Sequence, residues 1–399
     1  MSNYLKIFLA VNLVFLGGCS NENKSNKDEF SKATAINKNS KTNFVISLNQ
    51  DIDVTKNQFY CSSIGYAWNE VRKHFNNNIQ IDNSFKDLKL LNSDYSFQNS
   101  LADTVIQTNV SIKGNVTRIN AKFNLALPFV YQNYKRFDIH EFLTDDFIET
   151  LSQQERSDLL EKKHATFNNE TIVTFGPNSE DIEYDALKSV DLLHYKNNNE
   201  FAIRMKPADK DHEIILFMPE QSNFKTMRQI LHAFKAKEKE FLVKKKTFDS
   251  ISNNIANDSS LGLEEELRKI KLNRTEVSKL FLIDGDDFSI PILSFQAKKS
   301  FKSLEGNIFN GSEIIKEYQQ LISFELNEKG AEIESETRVM KVSVGGYLYP
   351  PKKLYFNNPF LIIFKRKDSN NPYLVGWIAN TDVMEKTMFK TAEIRIDTI

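Results

Sequence analysis

The residues of this chain whose types could carry chemistry are six histidines, two cysteines, one dense acidic turn and a lysine-rich stretch. His74, His140, His164, His194, His212 and His232 are scattered, and no two have the His-Glu-x-x-His spacing that sets two imidazoles on one helix face around zinc. No Gly-x-Ser-x-Gly elbow offers a nucleophile, and no glycine-rich loop offers backbone amides to a phosphate. Asp284-Gly-Asp-Asp287 could attract calcium but lacks the ligand spacing of a calcium loop, so it reads as an acidic turn between strands. Lys235, Lys237, Lys239, Lys244, Lys245 and Lys246 alternate with Glu238 and Glu240, the pattern of a solvated helix face rather than a polyanion site. No enzyme activity, metal or cofactor is expected. A formal net charge of −1 also argues against nucleic acid as a partner.

What remains is a segment suited to being acted upon. Phe324-Glu-Leu-Asn-Glu-Lys-Gly330 reads as a strand ending in a glycine hinge. Beyond it Ala331, Ile333, Ser335, Thr337 and Val339 alternate with Glu332, Glu334, Glu336 and Arg338. That period of two belongs to a half-buried strand, yet its position is that of a surface loop. Long loops in compact domains are usually functional or disordered; one with a strand pattern suggests a segment able to be either loop or strand. The chain returns through Tyr349-Pro-Pro-Lys-Lys-Leu-Tyr-Phe356-Asn-Asn-Pro-Phe360 and the apolar run Leu361–Phe364.

These residues resemble the serpin family. The hinge likeness is Glu328, two residues before Gly330, followed by Ala331; the closing block is Phe356-Asn-Asn-Pro-Phe360 with Gly376 and Asn380. Asp211–Pro219, Phe288–Phe295 and, more thinly, Asn120-Ala-Lys-Phe123 extend the resemblance, which is clearest over residues 200–382. It implies an α+β single domain with a large central mixed sheet, further sheets, surrounding helices and an exposed reactive-centre loop. It also implies a protease inhibitor that traps its target. The protease, serine or cysteine, cleaves the loop, and the freed segment inserts into the central sheet before the acyl-enzyme is hydrolysed. The inserting residues would be Ala331, Ile333, Ser335 and Thr337, with Glu334 and Glu336 on the outward face where charge stays hydrated. Family spacing from Gly330 puts the scissile bond at Val344–Gly345, with Met340 and Lys341 as alternatives. The other reading is a non-inhibitory serpin-fold lipoprotein serving as a surface binding or structural module, supported by Ile333-Glu-Ser-Glu336 where inhibitors carry small residues. A monomer is expected.

At the other end Lys6 precedes an apolar run from Ile7 to Leu16, then Gly17-Gly18-Cys19. The run is too short to span a bilayer and reads as a secretory signal. Leu-Gly-Gly-Cys resembles the bacterial lipoprotein signal, which implies acylation of Cys19 and anchorage to a membrane of the cell envelope. Ser20, where aspartate would favour inner-membrane retention, points to the outer membrane of a Gram-negative cell, on its periplasmic or outer face. The expected organisation is a signal peptide over 1–18, a polar disordered tether over 19–42, and one domain over 43–399. Cys61, left alone after acylation, reads as a buried thiol beside Phe59, Tyr60 and Ile64.

The elements that must position the loop can be read coarsely. Ile64, Ala67, Val71 and Phe75 mark a helix, and Asp145–Lys163, Asn223–Lys246 and Leu261–Leu272 are helical in pattern. Strands are expected at 104–110, 121–131, 172–175, 201–205, 214–217, 289–295, 322–326, 359–365 and 373–379. The last two flank the turn-forming cluster Asp368–Pro372 and should form a core hairpin.

Overall fold

A computed structural model describes residues 34–35, 40–101, 106–123, 125–138, 152, 166–177, 184–220, 223–257, 263–269, 272–283, 285–330 and 350–387. Along the chain these form β1 (Thr34–Ala35), β2 (Thr42–Val45), β3 (Asn57–Cys61), α1 (Ser63–His74), α2 (Lys86–Ser93), β4 (Ile106–Lys113), β5 (Val116–Phe123) and β6 (Lys135–Phe137). There follow β7 (Thr166–Phe167), β8 (Glu170–Thr171), β9 (Thr174–Gly176), α3 (Tyr184–Lys188), β10 (Val190–Asn197), β11 (Glu200–Met205), β12 (His212–Met218) and α4 (Met227–Asn257). The rest are α5 (Leu263–Lys269), α6 (Arg274–Ser278), β13 (Asp287–Pro291), β14 (Leu293–Ser300), β15 (Ile308–Phe309), β16 (Glu313–Leu326), β17 (Lys353–Tyr355), β18 (Phe360–Arg366) and β19 (Pro372–Ile378).

The fold is α+β, as expected. Its first sheet is mixed, in the order β1-β14-β16-β5-β4, with β15 folded onto the start of β16. A second sheet runs β10-β11-β12-β18-β19-β3-β2, and a smaller third runs β17-β13-β9-β6. In the second sheet β11, β12, β18 and β19 are almost wholly buried, which explains why they read in the sequence as continuous apolar runs without alternation. In the first sheet β5 and the last half of β16 alternate buried and solvent-facing residues, the mark of a sheet with one wet face. The dry face rests on α1, whose Ile64, Ala67, Trp68 and Val71 are all buried. Every member of the hydrophobic core lies between Phe44 and Met384.

The expected hairpin is present: β18 and β19 pair antiparallel from Phe360↔Ile378 inward. Gly376 is there for space, since a methyl group on it would stand 2.7 Å from the Phe59 ring and 2.9 Å from Ile362. Asn380 closes the strand by accepting from Asp382 N at 3.1 Å and from the Asn57 amide at 2.8 Å. Cys61 lies in β3 at 1% exposure, and burial pushes its thiol pKa up to about 11.

Three strand expectations need correction. The strand expected over 121–131 stops at Phe123; Pro128 has no amide to give a ladder, and Phe129 makes only an isolated bridge to Pro207. The strand expected over 289–295 is two strands in different sheets, separated at Ile292, whose amide goes to Val173 O and whose carbonyl accepts from Glu385 N. The strand expected over 322–326 begins at Glu313, its first half concealed by Lys316, Glu317, Gln319 and Gln320. The tether expected to reach residue 42 gives way earlier to paired chain: Thr34–Ala35 adds a short parallel strand beside Phe295 and Gln296. The helical pattern at Asp145–Lys163 and the signal and acylation segment fall outside the described residues, the lone position 152 apart.

Helix α4 is tied to the second sheet by both apolar and ionic contacts. Met227, Ile230, Leu231, Phe234 and Phe241 are buried, with Phe234 5.6 Å from the Phe217 ring. Lys237 reaches the buried carboxylate of Glu200 at 2.7 Å, which also faces Lys196 and His194, each at 3.3 Å. Burial alone would raise the Glu200 pKa, but the hydrogen bond and charge of Lys237 outweigh it and hold the carboxyl below its ordinary value.

Candidate functional site: the loop hinge and the parallel seam

Strands β5 and β16 run parallel, in register from Ile314↔Val116 to Ile322↔Phe123, with one irregularity between Ile315 and Glu317. They are bonded directly to each other, so no third strand lies between them. On its other side β16 is antiparallel to β14, and that pairing continues four residues further, through Ser323↔Gln296 and Phe324↔Phe295 to Leu326↔Leu293. Among the described residues, Ser323–Leu326 have no partner on the β5 side. Among the described residues the seam is therefore zipped from Val116 to Phe123 and carries no further pairing where the chain leaves β16.

The floor at this end of the seam is aromatic. Phe324 on β16 and Phe123 on β5 are linked through β18 and β19: Phe324 lies 5.6 Å from Phe364, Phe364 6.2 Å from Tyr373, and Tyr373 5.9 Å from Phe123. Such ring pairs each contribute about 1 kcal/mol beyond area burial. Both seam strands thus rest on one fixed surface. Lower down, two polar side chains of β16 point into the dry side. Tyr318 donates its hydroxyl to Ile64 O at 2.6 Å, and Gln320, 1% exposed, donates to Ser63 Oγ at 2.7 Å and Cys61 O at 3.3 Å. The three bonds end on the close of β3 and the start of α1. Separation of the two strands would need β16 or α1 to move while these groups kept their partners, because an orphaned buried polar group costs about 1–3 kcal/mol.

The turn that follows β16, where the hinge is expected, is built from Asn327, Glu328 and Gly330. The Asn327 side chain accepts from Lys329 N at 2.9 Å and its carbonyl accepts from Gly330 N at 3.3 Å, a local turn that ends the strand. Gly330 has φ +57°, a conformation an L side chain rarely takes. A methyl group there would collide with Phe129 N and lie 2.8 Å from Pro128 C. The expected hinge glycine is thus held against the 128–129 backbone, which is pinned in turn by Ala208 N to Pro128 O at 2.6 Å and Val130 N to Lys206 O at 2.9 Å. Glu328 Oε2 is buried and finds no hydrogen-bond donor among the described residues. Its charge is felt by Arg136 of β6: burial would lower that guanidinium's pKa, but the bond to Glu385 and the charges of Glu385, Glu328 and Asp138 hold it above its ordinary value.

The far side of the loop is anchored differently. β17 pairs parallel with β13, from Asp287↔Lys353 to Ser289↔Tyr355. Just before it, Lys352 and Asp286 form a buried ion pair at 2.9 Å, with the Lys352 amide donating to the other carboxylate oxygen at 2.7 Å and Ile283 N to the same oxygen as the ammonium at 2.9 Å. The β10–β11 turn closes over this point: Asn198 Oδ1 accepts from Lys353 N at 3.2 Å, and the Lys352 ammonium lies over the Tyr195 ring at 5.6 Å. The acidic turn is therefore not a solvated one at Asp286, which is 0% exposed; it fastens the loop's exit. Downstream, Phe356 stacks among Phe201 and Phe360 at 4.9 and 5.1 Å, which accounts for the closing-block aromatics.

Of the residues expected at the site, Glu328 and Gly330 are brought together at the mouth of the seam. Ala331, Ile333, Ser335, Thr337, Met340, Lys341, Val344 and Gly345 lie outside the described residues, as does Cys19. The sequence reading missed Tyr318, Gln320, Ser63, Phe129, Asp286 and Lys352. Extending the period of two backward from Phe324 and Ile322 would have placed Gln320 and Tyr318 inward. Among the described residues no group of histidine, cysteine, aspartate and glutamate is arranged to hold a metal, and no helix is long and apolar enough to cross a membrane.

No protein-family model matches the chain, and no curated protein matches it. Its structure is similar to those of several serpins. Serpin48 of the insect Tenebrio molitor matches at 11% identity and TM-score 0.29, over 66% of this chain and 56% of that one. The thermophilic serpin Tengpin in its native state matches at 12% and 0.29, over 66% and 55%. Native protease nexin-1 with heparin matches at 11% and 0.31, over 66% and 57%. The matched region spans little more than half the length of these relatives.

Proposed function

We propose that this chain is a protease inhibitor that works by loop insertion, held at a bacterial envelope membrane by acyl groups on Cys19. The observation that carries the inhibitory reading is the seam: two parallel strands with nothing between them, with no pairing among the described residues at the end where one of them runs into Gly330. A segment folding back at Gly330 would enter between β16 and β5 antiparallel to both. It would replace one parallel ladder by two antiparallel ones, each slightly stronger per residue. Each added backbone hydrogen bond is worth about 1 kcal/mol net, which is the free energy available to distort a protease.

In this reading the protease nucleophile adds to the loop carbonyl at Val344. The Val344–Gly345 bond breaks, the new amine leaves with β17, and an acyl-enzyme remains on the β16 side. Asp286–Lys352 retains the leaving piece while the freed segment zips down the seam, ahead of the water that would hydrolyse the ester or thioester. Met340 and Lys341 are the alternative cleavage positions. The protein acts as a monomer and has no catalytic residues of its own.

A second reading is a non-inhibitory surface module, favoured by Ile333, Glu334 and Glu336 in the segment that would insert. One experiment separates the two. The chain from Ser20 onward is incubated with a panel of serine and cysteine proteases. Trapping produces an SDS-resistant covalent band, a sharply raised Tm after loop cleavage, and a released peptide that locates the scissile bond. Clean cleavage with no band and no rise in Tm would establish the second reading.

A further inference from the structure

Helix α4 runs for 31 residues, about 46 Å at the helical rise, and only one of its sides meets the core. Along one flank of the exposed surface Lys235, Lys239, Leu242 and Lys246 follow at intervals of four, three and four, with Lys235 at the near end turned to the β18–β19 turn, where its ammonium donates to Asn370 O at 3.4 Å. His232, Ala236 and Val243 lie beside it on the same face. Two of the carboxylates near this stretch are engaged elsewhere: Glu240 pairs with Lys244 at 2.8 Å, and Glu238 is turned towards Glu213 and Lys365 on the sheet side, while Asp249 stands exposed three residues beyond Lys246. Lys239 and Lys246 are exposed and have no ion-pair partner among the described residues.

Between these cations stand two apolar side chains in water. Leu242 is 40% exposed and Val243 57%. The described residues expose few other large apolar side chains, and none of those are sequence neighbours. A face intended only for a polyanion, or only for solvent, has no use for adjacent leucine and valine. A helix that lies in the headgroup layer of an anionic bilayer needs both: lysines for the surface potential and apolar side chains to enter the acyl boundary.

We propose that the exposed face of α4 docks the protein onto an anionic phospholipid surface, with Lys239 and Lys246 on headgroups and Leu242 and Val243 inserted between them. The contact is independent of loop insertion, since α4 takes no part in the seam, and it does not require acylation. With an acyl anchor it would supply the second of the two signals that stable membrane attachment needs. It would also fix which side of the body faces the bilayer.

The test uses the chain from Ser20 onward, which keeps the whole described core and lacks both signal run and acyl site. It is sedimented with phosphatidylcholine vesicles containing about 30% phosphatidylglycerol, and with phosphatidylcholine alone. Binding to the mixed vesicles only, lost at high salt, is expected. Lys239→Ala with Lys246→Ala should weaken it about twentyfold, at roughly fivefold per lysine. Leu242→Ser with Val243→Ser should weaken it about tenfold. All four positions are solvent-facing, so unchanged Tm confirms that the variants fold. Absence of binding above the neutral vesicles overturns the proposal, as does binding that survives both pairs of substitutions. If the Leu242/Val243 pair alone is without effect while a sulfated polysaccharide competes, the face is a polyanion site and the bilayer proposal is wrong.

Discussion

At Gly330 a side chain meets two obstacles together, a φ of +57° and the backbone of Pro128 and Phe129. Gly330→Ala is expected to destabilise the protein by about 3 kcal/mol, from left-handed strain and overpacking combined, as read from urea unfolding. The Asp286–Lys352 pair gives a sharper contrast. Lys352→Ala leaves a buried carboxylate without its cation and should cost about 3–5 kcal/mol, whereas Asp286→Leu with Lys352→Met, which removes both charges but strands the Lys352 and Ile283 amides, should cost about 1–3 kcal/mol. If the single variant were as stable as the wild type, the pair would not be fastening the loop's exit. Glu200 supplies a pH dependence. Its folded carboxyl lies below the ordinary value of 4.5, so its contribution is present above that pH and is lost as pH falls through the lower folded value. The Tm deficit of Glu200→Gln at neutral pH should therefore shrink on acidification, in a thermal-melt series taken from about pH 6 to pH 3.

Elements make a different kind of prediction, because strand parity decides which loop residues must enter the sheet. Buried positions on β16 are Tyr318, Gln320, Ile322, Phe324 and Leu326, and on β5 Thr117, Ile119, Ala121 and Phe123. Under the insertion reading, Thr337→Arg puts a cation among them and should abolish the gain in Tm on loop cleavage, turning an inhibitor into a substrate. Glu336→Arg, of opposite parity, should leave that gain within a few degrees of wild type. Equal effects would mean that the segment does not insert in this register. The end of β16, Ile322–Leu326, was legible because alternation survives without tertiary context. The first half of β16 was not, since Lys316, Glu317, Gln319 and Gln320 suppress the apolar signal, and Gln320 is inward only because Ser63 and Cys61 satisfy its amide. The division at Ile292 was equally hidden, for its hydrogen bonds go to Val173 and Glu385, distant in sequence.

Over the whole molecule, the α+β class and the β18–β19 hairpin could be read from apolar runs and turn residues, while the order of strands within each sheet could not. That order is set by pairings such as Thr42–Val45 with Asn57–Tyr60 and Gln58–Cys61 with Leu374–Trp377, which no local pattern records. The hinge glycine was legible as a glycine between patterns; its partner Phe129 was not, being brought there by the bridge to Pro207. The position of the hairpin carries a consequence for biosynthesis. β18 and β19 are the last of the described strands to be made, yet they lie in the interior of the second sheet, between β12 and β3. Until they emerge from the ribosome, the strands on either side have no neighbour to close against and the sheet remains in two halves. Closure of this sheet is thereby deferred until nearly the whole chain has been made.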